Sequence, residues 1–302
     1  YEILTCDWSS DVCSSDLPRA CAAAAQGRTV IAVGLSEIGG SLRRIMALVL
    51  RHGYLLRRSW PRVLELMYWP TMQMILWGFI TLFFVNHSSW LAQAAGVLIS
   101  AVLLWDVLFR GQLGVSLIFM EEMWSRNLGQ LFVSPLRPME LIGAMFIMSA
   151  IRTIIGVGGA AFIAVALFHY SLFDLGLPLI AFFVNLIVMG WSIGLVVAGI
   201  VLRYGLGAES LAWIAVFALQ PLSGVYYPID VLPQWLQYVA FLLPSSHVFE
   251  GMRAVIIEHS FRFDLLFNAL ALNVLYLGGG IAAFLFFFRA ARIGGQLVHV
   301  GE

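Results

Sequence analysis

Six long apolar segments dominate the chain, separated by shorter polar stretches. They run over residues 63–85, 91–120, 141–168, 178–202, 210–229 and 265–288. About 20 helical residues, at 1.5 Å each, cross a hydrocarbon core about 30 Å thick, so each segment is long enough to span a bilayer. Pro70 and Pro221 lie inside the first and fifth segments and are expected to kink them. The pattern predicts an all-α polytopic membrane protein with six transmembrane helices.

A different periodicity precedes the first span, in "SLRRIMALVLRHGYLLRR" at residues 41–58. On a helix with about 100° per residue, its arginines share one side, and Ile45, Leu48, Val49 and Leu56 lie on the other. The arginines are Arg43, Arg44, Arg51, Arg57 and Arg58. A basic face opposite an apolar face is typical of a helix lying in the headgroup layer. We predict an amphipathic interfacial helix over 41–60, the alternative being an ordinary basic flank of the first span.

Composition supports a membrane class and excludes two kinds of chemistry. Of 302 residues, 61% are hydrophobic and only 11% are charged, and the mean hydropathy is +0.91. All 17 basic residues are arginine. Without lysine, the chain can form neither the P-loop contact to nucleotide phosphates nor a Schiff base. Its three cysteines, Cys6, Cys13 and Cys21, lie near the N-terminus, so the spans have no cysteine ligands.

The arginines also predict the orientation of the spans. With the N-terminus inside, eleven loop arginines lie on the cytoplasmic side and two, Arg253 and Arg262, lie outside. This asymmetry favours cytoplasmic termini. We expect an adapter-like, non-native or disordered N-terminus over 1–20, a six-span domain over 61–292 and a short cytoplasmic tail over 293–302.

Two polar regions interrupt the apolar pattern. The first cytoplasmic loop, "EEMWSRNLGQLFVSPLRPME" at 121–140, predicts a short amphipathic helix after a long second span. The outer segment 230–263 predicts two helices, "PQWLQYVAFLL" and "SHVFEGMRAVIIE", opened by Pro233 and Ser246 and separated by Pro244. Each is too short to span, so we expect interfacial or re-entrant helices packed on protein.

Polar residues inside the spans are candidates for function because burying them in a membrane costs free energy. Asp106 can pair with Arg110, four residues away on the same helix face, or with Arg152 of the next span. We favour a pair that fixes helix packing over a contact with substrate. Asn185 and Gln220 either line a pathway or bond to neighbouring helices, and we favour the second reading.

These features together resemble the type-2 ATP-binding-cassette (ABC) exporter permeases. The most specific stretch is "LQPLSGVYYPIDVLPQWLQYVAFLLPSSHVFEGMR" at 219–253, which is similar to the hairpin after the fifth span of that family. Its matching residues are Tyr227, Pro228, Pro233, Trp235, Pro244, Glu250 and Arg253. The second stretch, "EEMWSRNLGQLFVSPLRPMELIGAMF" at 121–146, is similar to the family's loop after the second span. The resemblance covers about residues 40–300.

The resemblance implies that this loop carries a coupling helix, which docks on a separate ATP-binding subunit. The implied coupling residues are Glu121, Glu122, Arg126, Asn127, Gly129, Gln130, Leu131 and Phe132. It also implies a non-catalytic chain in the bacterial inner membrane, with ATP and Mg used only by two partner ATPase copies. The expected partners are a second permease copy and membrane lipids, with no nucleic acid. We expect no bound cofactor or metal.

The expected substrate is hydrophobic or amphipathic: a lipid, a drug or a lipid-linked glycan. The alternative is an ATP-independent secondary transporter or a membrane-embedded enzyme. A secondary transporter should show internal repeats with interrupted helices. An enzyme should show a convergent acid–base or nucleophile set. Neither pattern is evident in the sequence.

Overall fold

The computed structural model describes residues 30–87, 89–125, 127–168 and 176–293. The predicted non-native N-terminus (1–20), Arg126 and residues 294–302 of the predicted tail lie outside the described residues. The side chains of 30–38, 84–95, 131–133 and 206 lie outside them as well.

Within these ranges the chain forms ten α-helices and no strand. In chain order they are α1 (Val30–Arg58), α2 (Trp60–His87), α3 (Ser89–Trp124), α4 (Leu128–Val133), α5 (Pro138–Phe168), α6 (Leu177–Tyr204), α7 (Ser210–Leu222), α8 (Gln234–Phe241), α9 (Pro244–Ile257) and α10 (Phe263–Ile293). Five of them, α2, α3, α5, α6 and α10, are long and apolar enough to cross a bilayer. The predicted class, an all-α polytopic membrane protein, is confirmed.

The predicted fifth span is shorter than the apolar pattern indicates. Helix α7 has 13 residues, about 20 Å of helix, and ends at Leu222 instead of continuing to residue 229. The Ser223 hydroxyl donates back to the Leu219 carbonyl at 2.8 Å, and Gly224 has a φ of 60°, which disfavours any side chain. The chain therefore turns here, and the kink expected at Pro221 is replaced by the end of the helix one residue later.

Helix α3 lies at the centre of the bundle, packed against α2, α5 and α6. It has 36 residues, about 54 Å, so it extends beyond a hydrocarbon core as its sequence predicted. At Gly190 of α6, an added Cβ would lie 2.7 Å from the Leu108 carbonyl oxygen of α3. Only glycine allows the two backbones to approach so closely. Helix α10 packs on the other side of α6.

Helix α1 is longer than the predicted interfacial helix and shows three faces. One face is buried and contains Val49, His52 and Leu56. A second face leaves apolar side chains exposed at a spacing of four residues: Leu42, Met46, Leu50 and Tyr54. Arg44, Arg51 and Arg58 lie on the remaining side, whereas Arg43 and Arg57 lie among the exposed apolar side chains. A helix that packs on protein while exposing both an apolar and a basic stripe suits the membrane surface.

The outer segment folds into the two short helices that the sequence predicts. Helix α9 begins at Pro244, two residues before the predicted Ser246, because proline suits the first helical position, where no N–H partner is needed. Most of α9 is buried, and it packs against α10, α6 and α3. Helix α8 instead exposes Trp235 and Tyr238. The prediction of short outer helices packed on protein is met by α9.

Candidate functional site

A buried carboxylate, Glu122, joins the last turn of α3 to α1. Its Oε2 accepts hydrogen bonds from Arg51 Nη2 at 2.9 Å and from Asn127 Nδ2 at 3.0 Å. Its Oε1 lies 3.0 Å from His52 Nε2, while His52 Nδ1 faces the Leu48 carbonyl oxygen at 3.0 Å. Because the Glu122 side chain is only 3% exposed, these partners replace the water that it has lost.

A second buried carboxylate, Glu140, joins the first turn of α5 to α1. Arg44 donates to its two oxygens from Nη2 and Nε, at 2.6 and 2.8 Å, in a bidentate pairing. The Ser41 hydroxyl donates to it at 2.5 Å and the Arg137 backbone N–H at 3.0 Å. An acidic residue in a first helical turn is also stabilised by the helix dipole.

These two contacts, which we name the α1 clamps, hold both ends of the polar loop 125–137. Glu122 lies three residues before the start of this loop, and Glu140 lies three residues after its end. Their partners Arg44 and Arg51 are seven residues apart on α1, about two helical turns. The short helix α4 therefore lies on a loop whose two ends are attached to the same helix.

Glu121 faces a different pair of helices, α5 and α2. Its carboxylate accepts from Arg152 Nη2 at 2.9 and 3.2 Å, and Arg62 Nη1 lies 4.0 Å away. Asp106 pairs with Arg110 of its own helix, Nε to Oδ2 at 2.7 Å. The alternative Asp106–Arg152 pair is therefore wrong, because the Arg152 guanidinium is engaged by Glu121.

The resemblance placed Glu121 and Glu122 among residues that dock on a partner, whereas here both carboxylates bind other helices of the same chain. Glu121 and Glu122 attach the start of the loop to α5 and α1, and they do not belong to its outer surface. That surface contains Gly129 and Gln130, both exposed, while Leu128 is buried beneath them. Arg126 and the side chains of Leu131 and Phe132, also assigned to coupling, lie outside the described residues.

A cavity of about 570 Å³ lies between α2, α3, α5 and α7. Clefts of roughly 300–1,000 Å³ are typical of sites for drug-sized ligands. The wall is mainly apolar and aromatic, with the Asp106–Arg110 and Glu121–Arg152 pairs exposed to it. The structure thus brings Asp106, Arg110 and Arg152 to one cavity, although not as a single ion pair.

At the other end of the cavity, Gln220 closes the wall together with Tyr226. Gln220 Nε2 donates to the Tyr226 hydroxyl at 3.0 Å, and the Tyr226 ring stacks on Trp77 with centroids 4.6 Å apart. Burial raises the pKa of the Tyr226 hydroxyl, so it stays protonated. Gln220 therefore both lines the cavity and bonds to a neighbour, which combines the two predicted alternatives.

Unlike Gln220, Asn185 joins two helices and does not line the cavity. Asn273 of α10 donates from Nδ2 to the Asn185 side-chain and backbone oxygens at 2.8 and 3.0 Å, and Asn185 Nδ2 donates to the Ala181 carbonyl. Both asparagines are buried, and Asn185 is not in the cavity wall. This bond between α6 and α10 agrees with the interpretation that we favoured for Asn185.

The outer hairpin residues hold the turn that ends α7. Arg253 Nη2 donates to the Gly224 carbonyl at 2.8 Å and to Glu250 at 3.0 Å, and Glu250 accepts the Ile229 backbone N–H at 2.9 Å. The Tyr227 hydroxyl donates to the Pro221 carbonyl at 2.7 Å. The other predicted hairpin residues are Pro228 and Pro233, which precede short helices, Pro244, which is buried at the start of α9, and Trp235, which is exposed.

Sequence reasoning missed Ser41, His52 and Glu140, and it assigned Arg44 and Arg51 only to the basic face of α1. The available signal was an acidic residue on each side of one polar loop, matched by two arginines two turns apart. Glu65, which follows Arg62 by three residues on α2, also lines the cavity.

The sequence matches the model of the ABC-2 type transporter family over residues 52–257. No curated protein matches it. The match covers more than half of the chain, so the protein belongs to this family. It is a multi-pass membrane protein and a permease subunit of an ABC transporter, a family that pairs with an ABC ATP-binding subunit and whose membrane chains are generally non-catalytic.

Proposed function

We propose that this permease exports a hydrophobic or amphipathic substrate across the bacterial inner membrane, driven by ATP hydrolysis in a separate subunit that docks on the loop 125–137. The α1 clamps carry this proposal. A loop that only connected two spans would not need two buried carboxylates, each neutralised by an arginine of a third helix. Burying charges is costly without paired geometry, and here both buried charges lie at the ends of one loop.

The exposed surface of the loop is the proposed docking site. Gly129 and Gln130 on α4 and the neighbouring Trp124 are exposed, and Trp124 is 47% exposed despite its size. A large aromatic side chain beside exposed polar groups is a common composition for a protein interface. Arg126, Leu131 and Phe132 are proposed to take part in docking as well, because the resemblance assigns them to coupling.

The ion pairs behind this surface are proposed to transmit movement. Glu122 and Glu140 connect the loop to α1, and Glu121 connects its entry to α5 through Arg152. A displacement of α4 by an ATPase would therefore move α1, α3 and α5 together as a body, the kind of motion that alternating access requires. Because α3 and α5 also line the cavity, the same displacement would change its shape.

We propose a homodimer of permeases with two ATPase subunits, and termini on the cytoplasmic side. Helix α7 is too short to cross a bilayer alone, and it exposes Leu211 and Ile214, which are not in the cavity wall. The exposed aromatic residues of α8 follow on the same chain. A second copy packed on this side would cover these residues and complete the wall beside the cavity.

Photocrosslinking tests the docking site. A benzophenone amino acid is placed at Gln130 or at Gln234, which is also an exposed glutamine on a short helix but lies in the outer hairpin. In native membranes, we expect crosslinking from position 130 to a chain that contains a P-loop, and none from position 234.

Transport into inside-out vesicles tests the energy source. We expect ATP-dependent uptake that falls about tenfold in Gln130→Arg, because a new charge at an interface core costs on the order of 1.4 kcal/mol, and no change in Gln234→Arg. Uptake by the permease alone, driven by a proton gradient without ATP, would contradict the proposal.

A further inference from the structure

We propose that the cavity binds an amphipathic organic cation, with its positive group between Glu65 and Glu209 and its apolar body against the aromatic wall. The inference rests on the proposed function, in which this cavity holds the transported substrate. It adds the charge and the orientation of that substrate.

The charges of the cavity wall do not balance. Two of its carboxylates, Asp106 and Glu121, are paired with Arg110 and Arg152. A third arginine, Arg62, approaches the already paired Glu121 at 4.0 Å. The other two carboxylates in the wall are Glu65 and Glu209, and neither has a hydrogen-bond or ion-pair partner among the described residues. Four carboxylates thus face three arginines, which leaves one negative charge in excess in the wall.

Glu65 lies in the second turn of α2, and Glu209 lies immediately before α7. On α2, Glu65, Trp69 and Gln73 are four residues apart and share one face. Helices α2 and α7 both begin at the predicted cytoplasmic end.

The other helix shows the same order of chemistry. Glu209 immediately precedes α7 and is followed by Trp213, Phe217 and Gln220 along the cavity. Each wall therefore presents a carboxylate, then an aromatic ring, then an amide. The carboxylates attract a cation, and the indole faces beside them stabilise it further through cation–π interactions.

The rest of the wall selects the body of the ligand. Helix α3 contributes Phe109, Leu113 and Leu117, and no further charge lies between Arg110 and Glu121 on this side of α3. An apolar or aromatic body fits this surface. An anion of the same size would be repelled by the two unpaired carboxylates, since like charges repel. A lipophilic cation is therefore favoured over an equally lipophilic anion.

Two probes of nearly the same size and shape but opposite charge test this inference. Tetraphenylphosphonium and tetraphenylborate are titrated against the purified full-length permease in nanodiscs of neutral lipid, and quenching of tryptophan fluorescence reports binding. Trp69 and Trp213 lie in the cavity wall and serve as internal reporters. We expect the cation to bind at least about tenfold more tightly than the anion. Equal binding, or tighter binding of the borate, would overturn the inference.

Matched variants locate the charge. Glu65→Gln and Glu209→Gln should each weaken phosphonium binding by about two- to tenfold, and the double variant by more, because each removes a charge while keeping the side-chain shape. Asp230→Asn, which alters an exposed carboxylate in the outer hairpin, should leave it unchanged. Since neither glutamate has a partner among the residues that the structure describes, both variants should keep the thermal stability of the parent. Wild-type affinity in the double variant would refute the assignment.

This experiment contains neither ATP nor an ATPase, so its outcome is separate from the proposed energy source. Selective phosphonium binding without ATP-driven uptake would leave the cation site standing and refute the proposed function. ATP-driven uptake of a lipid or glycan, together with equal binding of the two probes, would support the proposed function and refute the cation site.

Discussion

Replacing Glu122 by glutamine tests the contact that holds the loop to α1. The change removes one charge but keeps the shape of a side chain that has Arg51, His52 and Asn127 within 3.0 Å. Exposed ion pairs contribute about 0–1 kcal/mol, whereas breaking a buried pair costs about 3–5 kcal/mol. Here Glu122 is 3% exposed and Arg51 is 37% exposed. We therefore expect an intermediate loss of about 2 kcal/mol in the free energy of unfolding.

Titration of the purified protein with SDS, followed by tryptophan fluorescence, measures this loss. Glu258→Gln is the matched control, because that side chain is exposed in the outer segment; it should change stability by less than about 0.5 kcal/mol. A double-mutant cycle with Arg51→Gln should give a coupling free energy of about 1 kcal/mol or more. Effects that add to within about 0.3 kcal/mol would show that the two side chains do not stabilise each other, and the clamp would be refuted.

The packing and the remaining ion pairs make further predictions. Gly190→Ala should destabilise the protein by about 1–3 kcal/mol in the same titration, because its Cβ would overlap the backbone of α3. At Gly279 an added Cβ would have no neighbouring atom within 4 Å among the described residues, so Gly279→Ala should be neutral or stabilising by up to about 1 kcal/mol. Exchanging charges in the double variant Glu121→Arg, Arg152→Glu should restore stability that each single variant loses. The corresponding exchange of Asp106 and Arg152 should restore none, and rescue there would contradict the observed pairing.

Much of the fold could be predicted because membrane insertion depends on each segment by itself. The apolar segment that forms α6 would be predicted to span the membrane at any position in the chain. Its length and composition determine the free energy of its transfer from water into the bilayer. The same holds for the break at Pro244, which follows from the missing N–H of one residue. The fold class, the long second span and the short outer helices therefore followed from local information.

The fifth span could not be predicted in this way. A turn inside an apolar run leaves backbone carbonyl and N–H groups without helical partners, and local composition does not show what satisfies them. Here Arg253 of α9 binds the Gly224 carbonyl, and Glu250 binds the Ile229 N–H. These partners are more than 20 residues further along the chain, so the turn becomes favourable only when α9 packs beside it.

The candidate site shows the same division. The sequence by itself determined that Asp106, Glu121 and Arg152 lie in or beside spans and must find partners, because charges there are too costly to leave unpaired. Which charges pair was decided only by the tertiary structure, since several arginines lie within reach in sequence terms and the helix packing brings one of them to each carboxylate. Packing likewise placed Glu65 and Glu209 in one cavity wall, where neither is paired with an arginine among the described residues, and it attached both ends of the polar loop to α1. Such relations depend on distances between helices, and those distances are properties of the folded bundle.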